Sequence, residues 1–249
     1  MPNPTLREET FNELNFNQDS LSLDKAMTET GTLLKTLALG ALLTLSASYT
    51  WYLVGAGFAD KALLLGNVGA IGGLIVALFI CWGPKNRYLS LTAPIYALFE
   101  GLMLGGYSAA INAYYPGLVS QAVIGTFMTI FAMYIVYSTK LIKVTDTFFK
   151  TVLIATSAVF GIYILQFILS FFHITIPHLF SNSPIGIGFS IVVCGIAAFN
   201  LLVDFEFINR FKGEAPKYME WYGAFSLMVT IVWLYLEILR LLAKISSRR

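Results

Sequence analysis

Few side chains in this sequence can do chemistry, and those few stand in costly places. Glu237 and Arg240 interrupt the apolar stretch Ser226–Ile245, SLMVTIVWLYLEILRLLAKI. Glu100 lies within the apolar run from about Leu89 to Ile111, and Asp204 follows Asn200 by one helical turn at the end of the run from about Ile185 to Val203. An ionisable group in the middle of a lipid-spanning helix costs roughly 2.5–3.5 kcal/mol on insertion scales, which makes such a residue a functional candidate. Carboxylates in such a setting have a definite use. Hard cations such as calcium take oxygen ligands. Two carboxylates sharing a low-dielectric site cannot both ionise cheaply, so the site becomes a proton-sensitive latch. Protonated, it holds a hydrogen bond between helices; ionised, it repels or binds a cation.

Plainer readings stand beside each of these. Glu237 and Arg240 can pair at i,i+3 and reach toward an interface. Asp204 and Glu206 can form the solvated inner end of a helix. Helical periodicity places Thr230, Trp233, Glu237, Arg240 and Lys244 along one stripe, which must face other helices or a water-filled cavity. Glu100 falls ~18 Å into its segment at ~1.5 Å per residue, on a face shared with Thr92, Tyr96, Met103, Leu104 and Tyr107. Its depth and that of Glu237 predict one coupled polar cluster, helped by Arg240 or by hydroxyls such as that of Tyr96, with Gly101 and Gly105 admitting the last helix. Asp204 falls nearer the inner mouth, so the three acids form a ladder.

Other chemistry is missing from the sequence. There is no HExxH, GxSxG or P-loop pattern, and the expectation is a protein without enzymatic activity or cofactor. His173 and His178 read as interfacial histidines of an outer loop, and Lys35 and Lys150 as segment-end lysines that snorkel. Cys81 and Cys194 both fall in apolar segments and read as inert buried thiols. No basic patch suggests nucleic acid.

The elements that carry these residues are plain from composition. The chain is 57% hydrophobic and only 12% charged, against about 25% charged in soluble domains. It reads as an all-α polytopic membrane protein whose partner is the lipid bilayer. Apolar runs of this length are helices and not barrel strands. Seven are expected, at about Leu37–Val54, Ala62–Trp82, Leu89–Ile111, Leu118–Tyr137, Val152–Phe172, Ile185–Val203 and Ser226–Ile245. Gly69 and Gly73 form a small-xxx-small spacing in the second. GPKNR, YYPG and SNSP supply turn chemistry between segments. Residues 1 to about 30 form a polar, acidic arm without a signal-peptide pattern, and residues 31–249 form the membrane domain.

With the N-terminus inside, eleven Lys and Arg residues of the arm and loops fall on the inner side, and four, Lys61, Lys244, Arg248 and Arg249, on the outer side. That bias predicts a cytoplasmic N-terminus. The basic C-terminal tail is then outside after seven spans, or inside if the last segment is re-entrant.

Three stretches, FEGLMLG at Phe99–Gly105, LLVDFEFI at Leu201–Ile208 and LYLEILRLL at Leu234–Leu242, resemble the Bax inhibitor-1 family of seven-helix membrane proteins. The resemblance extends from about Lys35 to the end. It implies a calcium leak channel of a cell membrane, such as a bacterial inner membrane, with the last helix central among the other six. It also implies a pH-sensitive pair of acids on the sixth and seventh helices that would meet calcium, at positions matched here by Asp204 and Glu237. This chain departs from the family pattern in having Glu as the second acid and no arginine on the second helix, where Arg240 is the available substitute. The alternative function is a regulatory membrane protein that binds a membrane protease or another partner through the acidic arm; a third is a proton-coupled transporter.

Overall fold

The computed structural model describes residues 26–83, 88–174, 176 and 179–248. The acidic arm up to residue 25, most of the GPKNR turn and His178 lie outside the described residues. Seven helices account for nearly all the rest: α1 Glu29–Gly55, α2 Ala59–Trp82, α3 Leu89–Tyr114, α4 Leu118–Ser138, α5 Asp146–Ser170, α6 Pro184–Phe211 and α7 Met219–Ser246. All seven, the last helix included, are long and apolar enough to cross a membrane. It is also the most buried of the seven, with 56% of its most apolar window enclosed, against 11% for α4 and α5.

The helices outrun the apolar segments at several ends. α1 begins at Glu29, where Thr28 caps it by accepting from the Gly31 amide at 2.9 Å. α5 begins at Asp146, capped in the same way by Thr145. Such caps occupy amide groups that the first helical turn leaves unpaired. α6 continues to Phe211 and α7 starts at Met219, both beyond the expected boundaries at Val203 and Ser226. Hydropathy marks the part of a helix that lies in hydrocarbon, whereas backbone hydrogen bonding continues into charged sequence such as Asp204–Arg210.

The chain divides into two compact units. One holds the described part of Thr5–Tyr114 together with Phe207–Val229. In it α3 packs closely on α1 and α2. A Cβ at Gly101 would strike Ser46 Oγ and the Leu43 carbonyl, and one at Gly105 would strike Thr50 Oγ1 and the Ala47 carbonyl. The Gly101/Gly105 face therefore receives α1, not the last helix as expected, and Ser46 Oγ donates across the seam to the Leu98 carbonyl at 2.8 Å. α7 meets α3 elsewhere in this unit, through the edge of Tyr96 against Phe225 at 4.8 Å between ring centres. Gly69 fits against the Phe99 carbonyl and the Met103 amide of α3, so the small-residue spacing of α2 does bring two helices together.

The second unit holds Tyr115–Glu206 together with Thr230–Arg249. Here α4, α5, most of α6 and the C-terminal part of α7 pack together. Phe205 sits against Tyr134 and Tyr137 of α4, and Ile238 of α7 lies beside Gly125 of α4.

Candidate functional site

The second unit carries the two acids singled out from the motifs. Glu237 is 1% exposed. Its Oε1 accepts from the Tyr163 hydroxyl at 2.8 Å, from an Arg240 guanidinium N–H at 2.8 Å and from the Trp233 indole N–H at 3.3 Å. Arg240 also donates to the Tyr163 oxygen at 2.8 Å, which closes a three-membered ring of bonds, and its guanidinium lies 5.1 Å from the centre of that tyrosine ring. Glu237 Oε2 has no hydrogen-bond partner among the described residues. All the donors converge on one oxygen and leave the other bare.

Asp204 is fully enclosed, at 0% exposure. That excludes the reading in which it is the solvated end of α6. Glu206 next to it accepts from the Tyr137 hydroxyl at 3.1 Å. One turn before Asp204, Asn200 is also buried; its amide N–H₂ donates to Thr156 Oγ1 of α5 at 2.8 Å and to the Ile196 carbonyl at 2.9 Å. Asn200 Oδ1 has no partner among the described residues. By residue count Asp204 stands ~10 Å before the end of α6, and Glu237 ~27 Å after the start of α7, at ~1.5 Å per residue.

The stripe on α7 faces inward along its length. Thr230 and Lys244 are buried, and Trp233 and Arg240 are half-buried. Lys244, counted from the sequence among the basic residues of the outer side, is 5% exposed. Its ammonium donates to the Gly186 carbonyl and Ser190 Oγ at 2.9 Å each and to the Leu179 carbonyl at 3.3 Å. Three N–H groups meet three acceptors, which fastens the end of α7 to the start of α6.

The first unit holds Glu100, half-buried, with its carboxylate directed at α2: a Cβ at Gly73 would lie 2.9 Å from Oε2. Tyr96 is buried one turn earlier. Glu100 and Glu237 belong to different units, and the partners of Glu237 described above come from its own unit.

The same unit contains a charged cluster that the sequence reading passed over. Glu220, in the first turn of α7, is 1% exposed. It accepts from the Thr28 amide at 2.9 Å and the Thr28 hydroxyl at 2.8 Å, and pairs with Lys35. Lys35 also lies 5.4 Å from the centre of the Trp221 ring. It is thus one half of an ion pair and not a free snorkelling lysine. A Cβ at Gly31 would occupy the place of the Glu220 carboxylate and force it to shift away from Thr28 and Lys35. Backbone bonds reinforce the join: the Met27 amide donates to the Ala215 carbonyl at 2.7 Å, and the Gly213 amide to the Met27 carbonyl at 2.9 Å. The chain leaving the acidic arm is therefore clasped to the α6–α7 turn.

Tyr163 and Glu220 were the functional-looking residues missed. A lone tyrosine amid the leucines and isoleucines of α5 and an acid beside a Pro–Lys turn carry little signal until their partners are known. Cys81 and Cys194 form no disulfide and are half-buried, not fully buried as the sequence suggested. Among the described residues no group of three or more His, Cys, Asp or Glu side chains is placed to hold a metal ion. Any cation met by the acids would draw on hydroxyl, amide or carbonyl oxygens as well. A family model described as Bax inhibitor 1 like matches residues 3–247. No curated protein and no solved structure matches the chain.

Proposed function

Because the chain belongs to the Bax inhibitor 1 like family, we propose that it is a pH-sensitive calcium leak channel of a cell membrane, in which Asp204 and Glu237 are the carboxylates that meet the ion. The observation that carries this reading is the burial of both acids in one unit of a seven-helix membrane protein, with Glu237 presenting a bare oxygen. An ionised carboxylate enclosed in this way needs a positive partner; Arg240 satisfies one oxygen of Glu237 and leaves the second for a cation or a proton. The protonated acids hold the path shut and the ionised acids attract calcium, so the leak is expected to fall on acidification. Glu100, in the other unit, has no assigned part in this step. The N-terminus is taken as cytoplasmic on the basic bias of the loops.

The test is calcium flux from liposomes containing only the purified chain, over a range of pH. A leak that Asp204→Asn and Glu237→Gln each make less sensitive to pH supports the proposal. An unchanged pH profile in both variants removes the acids from the gate. No flux at all from folded protein would instead favour a regulatory membrane protein acting through a partner such as a membrane protease.

A further inference from the structure

Asn200 is held in a way that a purely structural amide does not require. Its orientation is unambiguous. The Ile196 carbonyl can only accept, so the amide nitrogen must face it, and the same nitrogen donates to Thr156 Oγ1. Both interactions pin the N–H₂ end. The oxygen end is thereby turned elsewhere, buried and without a partner among the described residues. A buried amide oxygen left unpaired is costly, because it gives up its bond to water and gains none in exchange. Four residues on, along the same face of α6, lies the fully buried Asp204, and side chains at i,i+4 stand about 5–6 Å apart at Cβ.

We propose that Asn200 Oδ1 is a neutral oxygen ligand for the permeating cation, beside the Asp204 carboxylate, and that Thr156 of α5 is the positioning residue that turns it. This rests on the cation-pathway reading above and adds to it the groups that set affinity. Hard divalent cations combine carboxylates with amide and carbonyl oxygens, and a neutral ligand beside a single carboxylate gives a site weak enough to release its ion. Should the amide rotate by half a turn, its N–H₂ would face the cation and repel it. The Thr156 oxygen opposes that rotation, because a cross-helix acceptor at 2.8 Å holds the nitrogen in place.

The experiment is calcium flux from liposomes as a function of calcium concentration, for the full chain and for Thr156→Val, Thr156→Ser, Asn200→Leu and Asn200→Asp. Threonine to valine keeps the volume and removes the acceptor, and folding of each variant is checked by elution profile and helical content. Thr156→Val and Asn200→Leu should each raise the half-saturating calcium concentration by roughly 10-fold or more, the usual cost of losing an orienting outer partner or a ligand. Thr156→Ser should stay near the parent, and Asn200→Asp should lower the half-saturating concentration. An unchanged half-saturating concentration in Thr156→Val and Asn200→Leu, with the parent and its acid variants behaving as proposed above, overturns this inference alone. A fall in maximal flux with no change in half-saturation marks the hydroxyl as structural only, and also overturns it. Absence of flux from the parent overturns both readings together.

Discussion

Replacement of Lys35 tests whether the chain leaving the arm is locked to the last helix. Glu220 is enclosed, with 1% side-chain exposure, and Lys35 retains 20%. Lys35→Met removes the cation and leaves a buried carboxylate with only the Thr28 amide and hydroxyl as donors. Breaking one side of a buried pair costs about 3–5 kcal/mol. Partial solvent access at Lys35 screens the pair, so about 2–3 kcal/mol is expected. Glu220→Gln keeps the shape and an oxygen for Thr28 and loses the charge, at about 1–2 kcal/mol. The double variant removes both charges at once and should cost less than the sum by about 1 kcal/mol or more, as coupled neighbours do. Denaturant unfolding in mild detergent, followed by tryptophan fluorescence, gives the four stabilities. Hydrogen exchange gives an independent readout, because the Met27, Thr28 and Gly213 amides are bonded across this join and should lose protection in Lys35→Met. Additivity within ~0.5 kcal/mol, or unchanged exchange at those amides, would refute the clasp.

Further expectations concern the remaining contacts. Tyr163→Phe removes a donor from Glu237 and an acceptor from Arg240, and should destabilise the protein by about 1–3 kcal/mol in the same unfolding assay; no loss would mean that the ring of bonds is not formed. Gly101→Ala should cost more than about 2 kcal/mol, since its Cβ meets α1 backbone, whereas Gly161→Ala, with nothing within 4 Å, should be neutral or stabilising by about 0.5–1 kcal/mol. Equal effects at the two glycines would count against the α1–α3 seam. Reporter fusions in the loop between α4 and α5 and after the C-terminus should report opposite sides of the membrane, and the same side for both would contradict seven full spans.

The fold was legible because seven apolar runs separated by turn residues leave little else for the chain to be. Their polar extensions were not: α6 carries Asp204, Glu206 and Arg210 in its last turns, and a hydropathy reading stops before them. The inward stripe on α7 was visible from period alone, since a charged face in a spanning helix has few places to go. What period cannot supply is the partner. Tyr163 lies on α5, far in sequence from the Glu237 it bonds, and five helices separate Lys35 from Glu220 and six separate Thr28 from it. Lys244 is another residue whose partners period cannot supply. Its position near the C-terminus suggested a solvated charge, but α6 brings the Gly186 carbonyl and the Ser190 hydroxyl to it, and Leu179 before α6 a second carbonyl. The Gly101/Gly105 spacing gave the close approach correctly and the identity of the neighbour wrongly, because small residues permit contact without specifying the helix that makes it.

The balance of donors and acceptors in the second unit argues about the sign of what it would carry. Its buried cation is saturated, with the Lys244 ammonium matched by three oxygens. Its exposed-side cation, Arg240, is committed to Glu237 and Tyr163. The side-chain groups without a partner at Asn200 and Glu237 are oxygens that only accept, Glu237 when ionised and Asn200 by the pinning of its nitrogen. Asp204, enclosed between them in sequence, is a further acceptor when ionised. An interior prepared for an anion would leave donors over, as helix N-termini and unpaired guanidinium groups do. An interior that matches the Lys244 ammonium with three oxygens and leaves carboxylate and amide oxygens over suits the metal cation or proton proposed above. Both species relieve the same oxygens, so competition between them is built into the arrangement: a proton added to Glu237 or Asp204 removes the ligand that calcium needs. The pH sensitivity proposed for the leak therefore requires no separate sensor, only the bare oxygens that would meet the ion.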